Sequence, residues 1–168
     1  SVLMMPRSIF TERLARRGHH IVQEFATDTL ETTKAQQIMT TAPETLPVTM
    51  PIYQVIALMS DLHAHHHYPV VNAQGRFIAV VSRKEIIPLQ LQQRSTQLTL
   101  QEFIGDEPQI SAHADTLCSH IADYLFNEEM GMVVVTEAES GQVKGVITRH
   151  DIFRVRYLAK KAESHKVK

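Results

Sequence analysis

The sequence predicts an α/β fold made of two β-α-β-β-α units that pack sheet to sheet as one module. Two observations carry this prediction: three short blocks recur in the same order, and each repeat holds apolar patterns typical of a helix and two strands. In a chain of 168 residues, neither unit of about 60 residues would bury enough apolar surface alone. Pairing of the two sheets is therefore the expected arrangement.

The internal repeat is visible in three pairs of blocks with offsets of 64 to 66 residues. The pairs are QIMTTAP at 37–43 with EFIGDEP at 102–108, YPVV at 68–71 with MVVV at 132–135, and AVVSRKEII at 79–87 with GVITRHDIF at 145–153. The offset changes only in the turns. The predicted division is a lead-in segment at 1–33, a first unit at 34–94, a second unit at 95–160 and a basic tail at 161–168.

Each unit shows the same elements in the same order. A short extended piece comes first, at 44–48 and at 109–111. Apolar residues three or four positions apart then predict one buried helix face, formed by Ile52, Val55, Ile56, Met59 and Leu62 in the first unit and by Leu117, Ile121 and Leu125 in the second. Two strands joined by a glycine-containing turn follow, at 68–71 with 77–81 and at 130–135 with 143–147. Ser82 and Thr148 are predicted N-caps of a further helix.

Composition excludes several classes of protein. Hydrophobic residues make up 43% of the chain, and 17 basic against 18 acidic side chains leave a net charge of −1, which gives no reason to expect nucleic-acid binding. No uncharged apolar stretch is long enough to span a bilayer. Cys118 is the only cysteine, so no internal disulfide forms, and we expect it to be a small packing residue in a reducing cytosol. No P-loop, serine elbow or HExxH motif supports catalysis.

The repeat resembles a pair of CBS domains over residues 34–158. The resemblance rests on Ile38-Met39-Thr40, on YPVV at 68–71 and on GVITRHDI at 145–152, which matches the strand-to-helix pattern of the family. It implies a non-catalytic regulatory module that binds an adenine nucleotide (ATP, ADP or AMP) between its units. It also implies a homodimer.

The lead-in segment carries a second resemblance. PRSIFTERLARRG at 6–18 is similar to the cytoplasmic segment that joins the membrane domain of CLC chloride channels and transporters to their CBS pair. The alternative is a generic amphipathic helix ended by Gly18, with Arg16 and Arg17 near its negative end. The CLC resemblance implies a membrane domain in the same polypeptide and a place on the cytoplasmic side of the membrane.

The predicted ribose and phosphate end of the site comprises Thr148, His150 and Asp151. A carboxylate can accept hydrogen bonds from two adjacent ribose hydroxyls, and the amides of the following helix can receive phosphate oxygens. The alternative is a capping box, in which Thr148 and Asp151 only satisfy helix-end amides. We favour the capping box for Ser82 and Glu85, because glutamate replaces the family's aspartate there. The prediction is one nucleotide per chain.

By the family resemblance, the adenine end falls on Thr45, His65, His66, Tyr68 and Pro69. Imidazole and phenol rings can stack on a purine. Four of the five residues at 63–67 are histidine, and imidazole also binds zinc, copper and nickel. A solvated connection between helix and strand is the favoured interpretation, and no metal is expected.

The sequence therefore favours a cytoplasmic regulatory pair of a CLC-type channel or transporter. Two alternatives keep the fold: an energy sensor attached to a soluble enzyme, and a structural dimerisation domain with an empty cleft. A metal-dependent enzyme built on the histidine run is a further alternative.

Overall fold

The computed structural model describes residues 28–92 and 97–166, and it confirms a mixed α/β fold with two sheets. The strands are β1 Thr40–Thr41, β2 Leu46–Pro47, β3 His67–Val71, β4 Phe77–Ser82, β5 Ser111–Ala112, β6 Val133–Thr136 and β7 Val143–Ile147. The helices are α1 Asp28–Thr32, α2 Ala35–Ile38, α3 Ile52–Met59, α4 Arg83–Ile86, α5 Leu100–Ile104, α6 Cys118–Asn127 and α7 Arg149–Lys166, with a 3-10 helix at Ile87–Leu91. The lead-in motif at 6–18 lies outside the described residues. None of the described helices is long and apolar enough to cross a membrane.

The two sheets repeat one local topology. In the first sheet, β2 pairs parallel with β3, and β3 pairs antiparallel with β4. In the second sheet, β5 pairs parallel with β6, and β6 pairs antiparallel with β7. Parallel pairing of consecutive strands needs a crossover helix, which α3 supplies in the first unit and α6 in the second. The β-α-β-β-α order predicted from the repeat is therefore present twice.

Each unit has its own apolar core, and the predicted helix faces are largely confirmed. Ile52, Val55 and Met59 of α3 are fully buried against the first sheet. Leu62 is 92% exposed, so its assignment to this face was wrong. The physical reason is that α3 ends at Met59: Ser60 donates its hydroxyl to the carbonyl of Ile56 at 2.7 Å, and the chain turns away.

The helix of the second unit buries Cys118, Ile121 and Leu125, as predicted. Leu117 has extended backbone angles and stands at the N-cap, so it lies just before α6 rather than on its buried face.

A third apolar cluster lies between the sheets. Met132 and Val134 of the second unit pack there against Val80 of the first. This contact joins the two units into the module that the sequence predicts.

The opening segment of each unit packs on the other unit. β1 pairs antiparallel with β7, and Ala35 of α2 is buried in the second core, whereas Leu100 of α5 is buried in the first core. Gly145 of β7 makes the β1 contact possible, since a β-carbon there would lie 2.8 Å from the carbonyl oxygen of Thr40. Because β1 pairs with β7, the residues that follow β1 lie beside the end of β7.

Candidate functional site

The junction of β7 and α7 holds the predicted ribose-binding pair. Oδ2 of Asp151 accepts a hydrogen bond from the backbone N–H of Thr148 at 2.8 Å and another from its hydroxyl at 3.2 Å. The carboxylate therefore satisfies one of the amides that a helix start leaves without an intrahelical partner. Oδ1 has no hydrogen-bond partner within residues 28–92 and 97–166, so one oxygen is engaged and the other is available.

A cleft of about 450 Å³ opens beside this junction. It lies where β1 leads into β2, where β3 begins and where β7 meets α7. The chain turns at Ala42 with a φ of 48°, a left-handed conformation that brings Pro43 and Glu44 to the cleft. The cleft is lined by Thr40, Ala42, Pro43, Glu44, His65, His67, Pro69, Met132, Val146, Thr148, His150, Asp151 and Arg154. We call it the Asp151 cleft.

The Asp151 cleft brings together five of the eight site residues predicted from the sequence. His65 and Pro69 come from the connection before β3 and from β3 itself, and Thr148, His150 and Asp151 come from the β7–α7 junction. These two groups are about 80 residues apart in sequence, and they meet only because the sheets pack face to face.

The other three predicted residues do not line this cleft. Thr45 is half-buried just before β2. Tyr68 is only 2% exposed and packs in the first core, so its ring is not free to stack on a ligand. Its hydroxyl instead accepts a hydrogen bond from the backbone N–H of His65 at 2.9 Å, which makes it a positioning residue. His66 lines a different cleft, and its carbonyl accepts a hydrogen bond from the N–H of Arg83.

The second cleft, of about 690 Å³, belongs to the β4–α4 junction. The hydroxyl of Ser82 accepts a hydrogen bond from the N–H of Glu85 at 3.2 Å, which confirms Ser82 as the predicted N-cap. The same hydroxyl donates to the Glu85 carboxylate at 2.7 Å, so this carboxylate binds the hydroxyl instead of the backbone N–H that a capping box requires. The second cleft is lined by His66, His67, Val80, Ser82, Arg83, Lys84, Glu85, Gln109, Glu128, Glu129, Met130, Gly131 and Met132. We call it the Glu85 cleft.

His67 is a cleft residue that the sequence reasoning missed. It lines both the Asp151 cleft and the Glu85 cleft, because it begins β3 between them. Burial lowers the pKa of the His67 imidazole below its ordinary value, and the neighbouring His66 lowers it further. Strand alternation gave the only signal, since His67 and Pro69 are two positions apart in β3 and therefore share a face.

Arg154 was also missed, although helix periodicity could have found it. It lies three residues after Asp151 on α7 and reaches the same cleft.

Glu44 contributes a carboxylate whose Oε2 lies 3.9 Å from Nε2 of His65, and both side chains are more than half exposed. Arg149 is turned the other way: its Nε donates to the carbonyl of Leu125 at 2.9 Å and ties the start of α7 to α6.

His63, His65 and His66 lie exposed in the predicted connection between α3 and β3, whereas His67 begins β3 and is half-buried. His63 donates its backbone N–H to Asp61 at 2.9 Å, while His65 and His66 line different clefts. Across the part of the chain that the structure describes, no group of three or more histidine, cysteine, aspartate or glutamate side chains is placed to hold a metal ion.

The family comparison agrees with this repeated architecture. The model of the CBS domain matches residues 35–91 and again 104–157. The chain belongs to the CBS domain family. CBS pairs are regulatory rather than catalytic modules. No curated protein matches this CBS pair at a significant level.

Solved structures of other CBS proteins share the fold. CbpB in complex with c-di-AMP is 14% identical with a TM-score of 0.66, and the match covers 88% of this chain and 99% of that one. CBSX2 in complex with AMP is 16% identical with a TM-score of 0.65, covering 76% and 98%. The cytosolic domain of the Mg²⁺ channel MgtE in complex with ATP is 20% identical with a TM-score of 0.60, covering 73% and 48%. At these identities the similarity establishes the fold.

Proposed function

We propose that this CBS pair is a regulatory module that binds an adenine nucleotide in the Asp151 cleft. The observation that carries the proposal is Asp151, which lines the cleft while its Oδ2 accepts two hydrogen bonds from Thr148 that orient the carboxylate. An oriented carboxylate oxygen is an acceptor suited to ribose hydroxyls. The cleft volume falls in the range of small-molecule sites, about 300–1,000 Å³.

The rest of the lining suits the other parts of a nucleotide. Pro69, Met132 and Val146 offer an apolar surface to the purine ring. The N-terminus of α7, an 18-residue helix, and the guanidinium of Arg154 offer positive charge to the phosphates, and the imidazole of His150 offers ring nitrogens for hydrogen bonding. CBSX2, CbpB and MgtE were each solved with an adenine nucleotide, which supports this ligand class for the present chain.

Isothermal titration of the chain with AMP, ADP, ATP and adenosine tests this proposal. We expect saturable binding of at least one nucleotide, lost or strongly weakened in Asp151→Ala. Glu85→Ala is the matched control, since it removes the corresponding carboxylate from the other cleft. Absence of heat with all four compounds would overturn the proposal and favour a structural dimerisation domain.

We further propose that the parent protein is a CLC-type chloride channel or transporter. The lead-in motif at 6–18 supports this parent through its family resemblance. In that case the CBS pair lies on the cytoplasmic side of the membrane, linked to a membrane domain of the same polypeptide. A nucleotide that prefers one arrangement of the pair would shift the population of that arrangement, and the membrane domain would respond.

The coding sequence upstream of Ser1 tests the parent. A CLC protein requires many apolar membrane helices there, and a soluble enzyme domain in their place would overturn this proposal. Chloride flux through the whole protein in vesicles, with and without AMP or ATP, then tests regulation. Flux that responds equally to nucleotide in the parent and in its Asp151→Ala variant would contradict control through this cleft.

A homodimer is the proposed assembly. Phe153 and Tyr157 lie one turn apart on α7 and are 50% and 64% exposed, a pair of large rings that a second copy of the pair could cover. Sedimentation of the chain should give the mass of a dimer. The variant Phe153→Ser with Tyr157→Ser should shift it to monomer, and a monomeric parent chain would exclude the assembly.

A further inference from the structure

His67 forms the wall between the two clefts. Its side chain is half-buried and lines both the Asp151 cleft and the Glu85 cleft. The ring packs directly on Gly131, where a β-carbon would overlap the imidazole. The missing side chain at Gly131 is therefore what admits this ring between the units. The ring touches the space proposed for the nucleotide and is held there by packing.

The charge of the Asp151 cleft depends on its imidazoles. Two carboxylates, Glu44 and Asp151, face one guanidinium, Arg154, so the cleft has one excess negative charge when its histidines are neutral. His65 and His150 line the cleft with exposed side chains, whereas His67 is the enclosed member of the three. A cleft of this charge attracts a phosphate poorly unless an imidazole gains a proton.

Charged groups approach His67 from every neighbouring element. The β4–α4 junction contributes Glu85, which favours the imidazolium, and the start of α7 contributes Arg149, which opposes it. Further around the two clefts lie Arg83, Lys84, Glu128, Glu129, Glu44, Asp151, Arg154, His65, His66 and His150. Burial outweighs the attraction of Glu85, since the pKa of His67 is lowered. The ring is therefore neutral at neutral pH in the empty cleft.

We propose that His67 gains a proton when a phosphate-bearing nucleotide occupies the Asp151 cleft, so that nucleotide affinity rises as the pH falls. This inference rests on the proposed function and adds regulation by pH to that site. The physical reason is that a phosphate places negative charge beside the ring and favours the imidazolium. By linkage, a ligand that raises the pKa of a group binds more tightly where that group is protonated.

Calorimetry of the unmodified chain gives the first test. AMP is titrated at about pH 7 in two buffers with different ionisation enthalpies, and the difference in heat gives the protons taken up. We expect net proton uptake when AMP binds. The affinity for AMP should be at least about threefold higher near pH 6 than near pH 8. One linked proton can change the affinity by at most about tenfold per pH unit. Adenosine has no phosphate, so its affinity should not change over this range.

Two neighbouring histidines give matched variants. His67→Gln should abolish most of the proton uptake, whereas His66→Gln, whose side chain lines the Glu85 cleft, should retain it. The phosphate of AMP titrates near pH 6, but it does so equally with each variant, so the difference between variants isolates His67. Proton uptake that is unchanged in His67→Gln would overturn this inference and leave the proposed function standing. AMP binding to the parent chain without proton uptake would do the same. If adenosine and AMP both fail to bind at every pH, the proposed function fails with it.

Discussion

Asp151 and Thr148 are joined by two hydrogen bonds that end on one carboxylate oxygen, Oδ2, at 2.8 Å from the backbone nitrogen and 3.2 Å from the hydroxyl. The related pair in the first repeat behaves differently. There the hydroxyl of Ser82 accepts from the N–H of Glu85, and the longer carboxylate folds back onto the same hydroxyl. Asp151 is thus both a helix cap and a candidate ligand group, whereas Glu85 is engaged in its cap.

Asp151→Asn should reduce both AMP affinity and stability. Loss of a charged acceptor for the ribose hydroxyls should cost about 1.5–3 kcal/mol of binding, or roughly ten- to a hundredfold in Kd. The weakened cap should lower the free energy of unfolding by about 0.5–2 kcal/mol. Titration calorimetry and urea denaturation measure the two effects separately. A folded variant with lower stability and unchanged AMP affinity would show that Asp151 is a cap alone.

Glu85→Ala should affect stability but not AMP affinity. The substitution removes the carboxylate that accepts from Ser82 but keeps the backbone N–H that Ser82 caps, so we expect a loss of about 0.5–1.5 kcal/mol in the free energy of unfolding. AMP affinity should stay within about threefold, a change well below the loss of one charged hydrogen bond. Two equivalent AMP sites per chain, or binding abolished by this variant, would contradict the prediction of one site.

Gly131→Ala should destabilise the chain, because its new methyl group would overlap the ring of His67. Overpacking of this kind costs about 1–3 kcal/mol. The double variant Gly131→Ala with His67→Ala should be less destabilised than the sum of its single variants, since the ring that clashes is gone. Thermal denaturation of the four proteins completes the cycle. Additive losses would show that the two residues do not contact each other.

Asp123→Asn should change the pH dependence of stability. Asp123 is 9% exposed on α6, and burial raises the pKa of its carboxyl to about 7. Since an unfolded aspartate has a pKa near 3.9, the native state holds the proton more tightly, and the stability due to this group is lost as the pH rises from about 4 to 7. The amide stays neutral, so the variant should be more stable than the parent above about pH 7 and similar below about pH 4.

Urea denaturation across this pH range measures the difference between the two proteins. Asp106→Asn is the control, because it makes the same substitution at a carboxylate that is exposed in a turn. If the free energy of unfolding changes with pH in the same way in the parent chain and in Asp123→Asn, the prediction is contradicted.

Local pattern determined the repeated elements of this protein. Residues three or four apart placed Ile52, Val55 and Met59 on one helix face, and the paired blocks predicted the same strand order twice, because burial of one face imposes those periods on any sequence. Leu62 fits the same helical spacing but is exposed, because the helix ends at Met59. Where a helix ends depends on its capping groups and not on the spacing of apolar residues.

Tertiary structure decided which of the candidate residues share a cleft. The sequence placed Tyr68 and His66 beside His65 in the site, but strand alternation and packing turned Tyr68 into the core and His66 toward the other cleft. Glu44 lines the same cleft as Asp151 because β1 pairs with β7 of the opposite repeat, and His67 separates the clefts because Gly131 leaves space for its ring. These relationships join residues far apart in the chain, and they depend on side-chain packing between the units, which no local period encodes.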